Sequence, residues 1–122
     1  MPIRVGMTLS GERLNRDNAK FAQQLGIEDV VVHLGRYKRV EDPQPYLAGG
    51  QPGPILGDCS EETLWTYDYM KGVVDMLGEY GLKIAAMENF APNFWSDILL
   101  DGAGKVRQMD GLKRLVEDAG RA

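Results

Sequence analysis

The sequence predicts an α/β protein built on a parallel sheet, and two patterns in its 122 residues indicate this. A short apolar strand, an amphipathic helix and a glycine follow one another three times along the chain. The second strand contains the run Val30-Val31-Val32, which is typical of a parallel strand covered by helices. Strands that alternate with amphipathic helices form parallel sheets, because each helix returns the chain to the end where the previous strand began.

The first unit is predicted to consist of a strand over 3–9 and a helix over about 12–25. Ser10 and Gly11 interrupt the strand, and the apolar residues of the helix recur at the spacing of one helical face. Gly26 follows the helix and is predicted to be its left-handed C-cap.

The second unit is predicted to have a strand over 29–34, a long loop over about 35–59 and a helix that starts near Ser60 and ends at Gly81. Ser60 is a good N-cap, and two glutamates follow it in the first turn, where they favour the helix dipole. The loop contains four prolines, and loops of this length inside a domain are usually functional or mobile.

The third unit is predicted to have a strand over 82–88, a loop over 89–104 and a helix over about 105–119, ended by Gly120. Its helix carries an apolar stripe that we expect to face the core. The stripe consists of Val106, Met109, Leu112, Val116 and Ala119.

Three such units fit part of a (β/α)₈ barrel. No G-x-G-x-x-G follows the first strand, which disfavours a dinucleotide-binding sheet. A sheet of only three parallel strands would leave two edges and one face exposed. A complete barrel of eight units takes about 250 residues, roughly twice the length of this chain. We therefore expect residues 1–122 to be the N-terminal part of a single barrel domain, truncated before a fourth strand. The alternative is a small three-unit protein stabilised as an oligomer.

Composition excludes several classes of function. The chain is 43% hydrophobic and 26% charged with a net charge of −4, which argues for a globular protein and against nucleic-acid binding. The single cysteine, Cys59, cannot form an internal disulfide, which fits a reducing compartment. No signal-peptide core and no apolar run of about 18 residues is present, so a cytoplasmic protein without membrane association is expected.

Polar residues at the ends of the predicted strands are the candidates for chemistry. Thr8, His33, Glu88 and Asn89 end three different strands, and the carboxyl ends of barrel strands surround the active site. His33 is the only histidine; it suits hydroxyl binding, proton transfer or metal ligation, or is a strand-end residue satisfied by the backbone. Glu88 follows an apolar run and needs a cationic or donor partner if buried. Asn89 is either a substrate ligand or a turn residue.

Other residues favour structural roles. The cluster of Trp65, Tyr67, Tyr69 and Met70 is interpreted as helix packing. Cys59 is interpreted as a bystander thiol rather than a nucleophile. Phe90, Phe94 and Trp95 lie in a loop at the expected barrel mouth, where aromatic side chains can wall a pocket. No pair of histidines or cysteines at metal-ligand spacing is present.

Four segments resemble mannonate dehydratases, within the wider group of xylose-isomerase-like barrels. They are residues 3–8 (IRVGMT), 29–34 (DVVVHL), 81–89 (GLKIAAMEN) and 107–122, and together they span almost the whole chain. The loop around residues 43–58 departs from the family pattern.

The resemblance implies a hydro-lyase that converts D-mannonate to 2-keto-3-deoxy-D-gluconate and water in hexuronate (glucuronate) catabolism, with Mn²⁺ or Fe²⁺. The metal ligands of the family lie on later strands, so they are expected beyond Ala122 and none is assigned here. His33, Glu88 and Asn89 carry over as substrate-binding positions in the pocket wall, while the catalytic acid and base stay unassigned. The 122-residue chain alone is expected to be inactive. The full-length enzyme is expected to act on a small sugar acid, and a homo-oligomeric state is left open for it.

Two alternatives stay open. The first is a sugar isomerase or epimerase on the same scaffold, because a fold does not fix a function. The second is a non-catalytic interaction protein, whose exposed sheet face would be an interface.

Overall fold

The computed structural model describes residues 3–10, 13–34, 65–88, 90 and 94–122. These residues form three strands and four helices, which we number in chain order. The elements are β1 (Gly6–Ser10), α1 (Arg16–Gln24), β2 (Asp29–His33), α2 (Tyr67–Gly78), β3 (Lys83–Glu88), α3 (Ser96–Leu99) and α4 (Lys105–Arg121). The predicted loop over 35–59, Ser60 and Cys59 lie outside the described residues. The predicted start of the second helix near Ser60 is wrong, because α2 begins at Tyr67 and its N-cap is Thr66, whose Oγ1 accepts a hydrogen bond from the backbone N–H of Tyr69 at 3.5 Å.

The three strands form one sheet in the order β1-β2-β3, and both pairings are parallel. The prediction of an α/β protein with parallel strands is therefore confirmed. β1 begins later and ends later than predicted, so that Ser10 is its last residue and lies opposite His33. The predicted loop over 89–104 contains the short helix α3, which the sequence analysis missed.

Local signals explain where the helices begin and end. Asn15 caps α1, where its side-chain Oδ1 accepts a hydrogen bond from the backbone N–H of Asn18 at 2.9 Å. α1 therefore starts later than the predicted residue 12. Gly26 and Gly81 follow α1 and α2 with φ of 73° and 72°, the left-handed conformation that glycine adopts without steric cost.

One face of the sheet carries the hydrophobic core. Val30 and Val32 of β2 are fully buried under the helices, together with Met70 and Leu77 of α2. Side chains alternate between the two faces of a strand, so Val31 belongs to the opposite face, where it is only half-buried. Among the described residues no helix covers that opposite face, so the prediction that β2 is covered on both faces is not met there.

The apolar stripe predicted for α4 is only partly confirmed: Ala119 packs against the core and Leu112 is half-buried, but Val106, Met109 and Val116 are exposed. Val106 and Val116 are 72% and 67% exposed, whereas Gln108 and Leu115 are the buried residues of the helix. Gln108 and Leu115 lie seven residues apart and share the face that packs towards α2 and α3. The helix is therefore rotated away from the predicted orientation, and a polar side chain takes part in its buried face.

Gln108 is buried because it caps α3. Its side-chain Oε1 accepts hydrogen bonds from the backbone N–H groups of Asp97 (2.8 Å) and Ile98 (3.2 Å), while its Nε2 donates to Ser96 Oγ at 3.4 Å. No side chain at the N-cap position of α3 accepts a hydrogen bond from these backbone N–H groups. One glutamine thus supplies from α4 the acceptor that a first helical turn normally obtains from its own N-cap.

We expect Gln108→Ala to lower the free energy of unfolding by about 1–3 kcal/mol, because it leaves two part-buried N–H donors without their acceptor. Urea-induced unfolding followed by circular dichroism measures this loss. Gln23→Ala is the matched control, since Gln23 is an exposed glutamine on α1, and we expect it to stay within about 0.5 kcal/mol of the parent. An equal loss in both variants would contradict the capping role.

An exposed ion pair joins the first turn of α1 to the end of α2. The Arg16 guanidinium donates hydrogen bonds to both carboxylate oxygens of Glu79, one of them at 3.0 Å. These hydrogen bonds lower the pKa of the Glu79 carboxyl from its ordinary 4.5. The same contact raises the pKa of Arg16. Arginine is charged near neutral pH with or without this contact.

The lowered pKa of Glu79 gives a testable pH dependence. A carboxyl whose pKa is lower in the folded state stabilises the fold above its ordinary value of 4.5, and this contribution is lost as the pH falls through the folded pKa. We expect the difference in unfolding free energy between the parent and Glu79→Gln to be largest above pH 4.5 and to shrink in more acidic solution. Urea titrations across this range measure the difference. About 1 M NaCl should reduce it, because the pair is exposed, and a difference that is independent of both pH and salt would contradict the ion-pair origin.

Within the described part of the chain, no helix is long and apolar enough to cross a membrane.

Candidate functional site

The structure brings together two of the predicted site residues, His33 and Glu88. They are the last residues of β2 and β3 and lie directly opposite each other in the parallel register. The His33 Nε2 and Glu88 Oε2 atoms are 3.0 Å apart, which is hydrogen-bonding distance. Two side chains from separate strands therefore meet at the carboxyl end of the sheet, as the sequence analysis expected.

A β-bulge produces this pairing. Val30 lies opposite Ile84, but Val31 lies opposite Ala86, so that Ala85 is the extra residue of β3. Without it, Met87 rather than Glu88 would face His33, because a slip of one residue exchanges the two faces of a strand. The bulge thus lets Ile84 and Met87 both reach the core while Glu88 joins His33 on the open face.

The two side chains differ in their exposure to solvent. The His33 side chain is 19% exposed, whereas that of Glu88 is 52% exposed. Glu88 therefore keeps much of its hydration, and its charge does not carry the cost of a buried carboxylate. The contact is a hydrogen bond when His33 is neutral with its proton on Nε2, and an ion pair when both ring nitrogens are protonated.

Ser10 completes a polar row that the sequence analysis missed. Ser10 of β1 is the register partner of His33, so Ser10, His33 and Glu88 lie side by side across the three strands. Thr8, the predicted strand-end residue of β1, lies opposite Val31 and is exposed, on the same face but one row further from the carboxyl end. The signal for Ser10 was its position two residues after Thr8, which places both on one face.

Asn89, the third predicted substrate-binding residue, lies outside the described residues. In the described part of the chain, no group of three or more His, Cys, Asp or Glu residues is arranged to hold a metal ion. His33 and Glu88 offer two ligand side chains, and a Mn²⁺ or Fe²⁺ site needs more than these two. The described residues therefore do not make up the site for the metal that the resemblance implies.

A groove of about 300 Å³ lies between the outer edge of β3 and α4. Residues 84–87 of β3 form one wall, and Leu115, Val116 and Ala119 of α4 form the other. Trp65 and Phe90 also line the groove. Its lining is almost entirely apolar.

Trp65 also anchors the aromatic residues around the groove. Its ring lies 4.6 Å from that of Phe90 and 6.4 Å from that of Phe94, distances typical of interacting aromatic pairs. Trp65, Tyr69 and Met70 are buried, which confirms the interpretation of these three residues as packing, whereas Tyr67 is half-buried. The Trp65 Nε1–H is buried and has no hydrogen-bond acceptor among the described residues, although buried indole N–H groups usually find one.

No family model, curated protein or solved structure matches this chain.

Proposed function

We propose that these three units form part of a (β/α)₈ barrel of a hydro-lyase that dehydrates a sugar acid, with His33 and Glu88 in its substrate pocket. The observation that carries the proposal is the His33–Glu88 contact at the carboxyl ends of adjacent parallel strands. In a barrel, these ends surround the active site, and the sheet face turned away from the helices lines the interior. Ser10, His33 and Glu88 occupy that position here.

The strand arrangement supports the architecture. Consecutive strands lie side by side without a reversal of order, and right-handed crossovers then place all connecting helices on one face of the sheet. The buried face with Val30 and Val32 is the one that the helices cover. A barrel repeats this arrangement eight times.

The polar row has the chemistry that a polyhydroxylated substrate requires. The Glu88 carboxylate accepts hydrogen bonds from hydroxyl groups, and the His33 ring both donates and accepts. Dehydration of a sugar acid removes the C2 proton and expels the C3 hydroxyl, so a histidine held by a carboxylate suits the binding or protonation of a hydroxyl. The Mn²⁺ or Fe²⁺ ion that the resemblance implies needs ligands in addition to His33 and Glu88. The proposal also includes a cytoplasmic location and a homo-oligomeric state.

The proposal is tested by titrating the ¹⁵N-labelled chain with D-mannonate in the absence of metal, so that the amide shifts report the residues described here. We expect the largest changes at His33, Glu88 and Ser10, with D-mannitol, which lacks the carboxylate, binding differently. Shifts confined to other parts of the chain, or none at millimolar concentrations of D-mannonate, would overturn the proposal.

A further inference from the structure

The sheet alone does not fix the position of the Glu88 side chain. Glu88 is the last residue of β3, and its pairing with His33 is the last of the parallel ladder. Its side chain is 52% exposed, and His33 is the polar partner that the structure gives it. A residue at the end of a strand frays readily, because few backbone hydrogen bonds hold it. The contacts of the chain directly after Glu88 therefore decide how firmly the carboxylate is held against the imidazole.

The chain is held two residues later, at Phe90. The Trp95 Nε1–H donates a hydrogen bond to the Phe90 carbonyl oxygen at 3.0 Å. The Phe90 ring packs on the Trp65 ring, with the two ring centres 4.6 Å apart. Two residues span at most about 7 Å, so this anchor lies close to Glu88. Phe90 is thus tied through its carbonyl to Trp95 and through its ring to Trp65.

Trp95 is itself fixed by the helices that follow it. It is the N-cap residue of α3, and its carbonyl oxygen accepts a hydrogen bond from the backbone N–H of Leu99 at 3.1 Å. The first turn of α3 is capped by the buried Gln108 of α4, and α4 packs in turn on α2. The hydrogen bond from Trp95 therefore connects the chain after β3 to helices that pack on the rest of the protein.

Core packing accounts for two of the three aromatic residues in this part of the chain. The sequence analysis grouped Phe90, Phe94 and Trp95 as residues that can wall a pocket. Phe90 and Phe94 pack against the hydrophobic core, whereas Trp95 is not among the described residues that do so and is 37% exposed. The interaction that distinguishes Trp95 is its hydrogen bond to the Phe90 carbonyl.

We infer that Trp95 is a positioning residue of the substrate pocket: its indole N–H holds the Phe90 carbonyl and thereby keeps the Glu88 carboxylate against His33. Trp95 acts through Glu88 and does not itself bind the substrate. The inference rests on the proposed function for its effect on substrate binding, whereas its effect on the contact between His33 and Glu88 is measured without any ligand.

Trp95→Phe tests the inference, because it keeps an aromatic ring and removes the N–H donor. His33 is the only histidine of the chain, so its imidazole ¹⁵N and ¹³C signals are assigned without ambiguity. We expect Glu88→Gln and Trp95→Phe to move these signals in the same direction, since both weaken the hydrogen bond between Glu88 and His33. Tyr80→Phe is the control. It also removes one polar hydrogen from an aromatic side chain, but near the amino end of β3, and is expected to leave the imidazole signals unchanged.

Combining the two substitutions shows whether Trp95 acts through Glu88. We expect Trp95→Phe to cause no further change in the imidazole signals once residue 88 is glutamine. Unchanged signals in Trp95→Phe, unchanged signals in Glu88→Gln, or an equal effect of Trp95→Phe in both backgrounds would each overturn the inference. Circular dichroism establishes that the variants are folded, as expected because both replaced side chains are more than one third exposed.

Titration with D-mannonate separates this inference from the proposed function. Trp95→Phe is expected to weaken the binding of D-mannonate by about two- to tenfold, the effect of one lost hydrogen bond, and to have little effect in the Glu88→Gln background. Equal dissociation constants for the parent and Trp95→Phe would overturn the inference. If the parent does not bind D-mannonate while Trp95→Phe still moves the imidazole signals, the proposed function fails and the positioning of Glu88 by Trp95 stands.

Discussion

Leu77→Ala is expected to lower the free energy of unfolding by about 2–5 kcal/mol, as the removal of a large buried side chain usually does. Leu77 is fully buried in the last full turn of α2, in the same cluster as Val73 of that helix and Val30 and Val32 of β2. Truncation removes three carbon atoms from this cluster and leaves a cavity that the sheet and helix fill only in part. Domains of this size have stabilities of about 5–15 kcal/mol, so the loss is a large fraction of the total.

Urea unfolding followed by circular dichroism measures this effect, with Leu99→Ala as the control. Leu99 is a leucine in a helix as well, but it is 72% exposed. We expect the control to change the free energy of unfolding by less than about 1 kcal/mol, because exposed substitutions rarely do more. Similar losses in both variants would contradict the placement of Leu77 in the core.

The sequence predicted the fold class because its signals for parallel α/β structure are local. Gly26 and Gly81 each follow a helix and adopt the positive φ that the sequence analysis expected, and a strand begins within three residues of each. The glycines are required there by the local backbone conformation alone. They are therefore readable without knowing what each helix packs against.

The orientation of α4 was not readable in this way. The apolar residues of the helix form one broad arc, and their spacing alone does not decide which part of that arc faces the core. That choice depends on Gln108, whose hydrogen bonds to α3 orient the helix from a segment that the sequence analysis took for a loop. A polar side chain that caps a neighbouring helix is not visible in the hydrophobic pattern of the sequence.

The candidate site was predicted in part for a similar reason. Placing His33 and Glu88 at strand ends required only the strand boundaries. That they touch, and that Ser10 joins them, depends on the register of three strands and on the bulge at Ala85. A clue to the bulge was present in the sequence, since Ile84 and Met87 are three residues apart and cannot share a face of a regular strand.

The strongest functional effect is expected from His33→Ala, which should weaken the binding of D-mannonate by about 10- to 100-fold. The imidazole is the least exposed member of the polar row whose contacts are described, and the Glu88 carboxylate orients its ring. A hydrogen bond that involves a charged group contributes about 1.5–3 kcal/mol, and 1.4 kcal/mol corresponds to a factor of ten in affinity. Titration of the ¹⁵N-labelled variant with D-mannonate measures the dissociation constant in the same way as for the parent chain.

Two further variants separate the hydrogen bond from the shape of the side chain. His33→Gln keeps a donor and an acceptor and is expected to recover part of the lost affinity, whereas His33→Leu keeps most of the volume and is expected to recover none. Lys113→Ala, on the outer side of α4, is the control and should bind like the parent. Equal affinities for the parent and His33→Ala would remove His33 from the pocket, and equal losses in the glutamine and leucine variants would mean that the side chain acts there by packing rather than by binding the substrate.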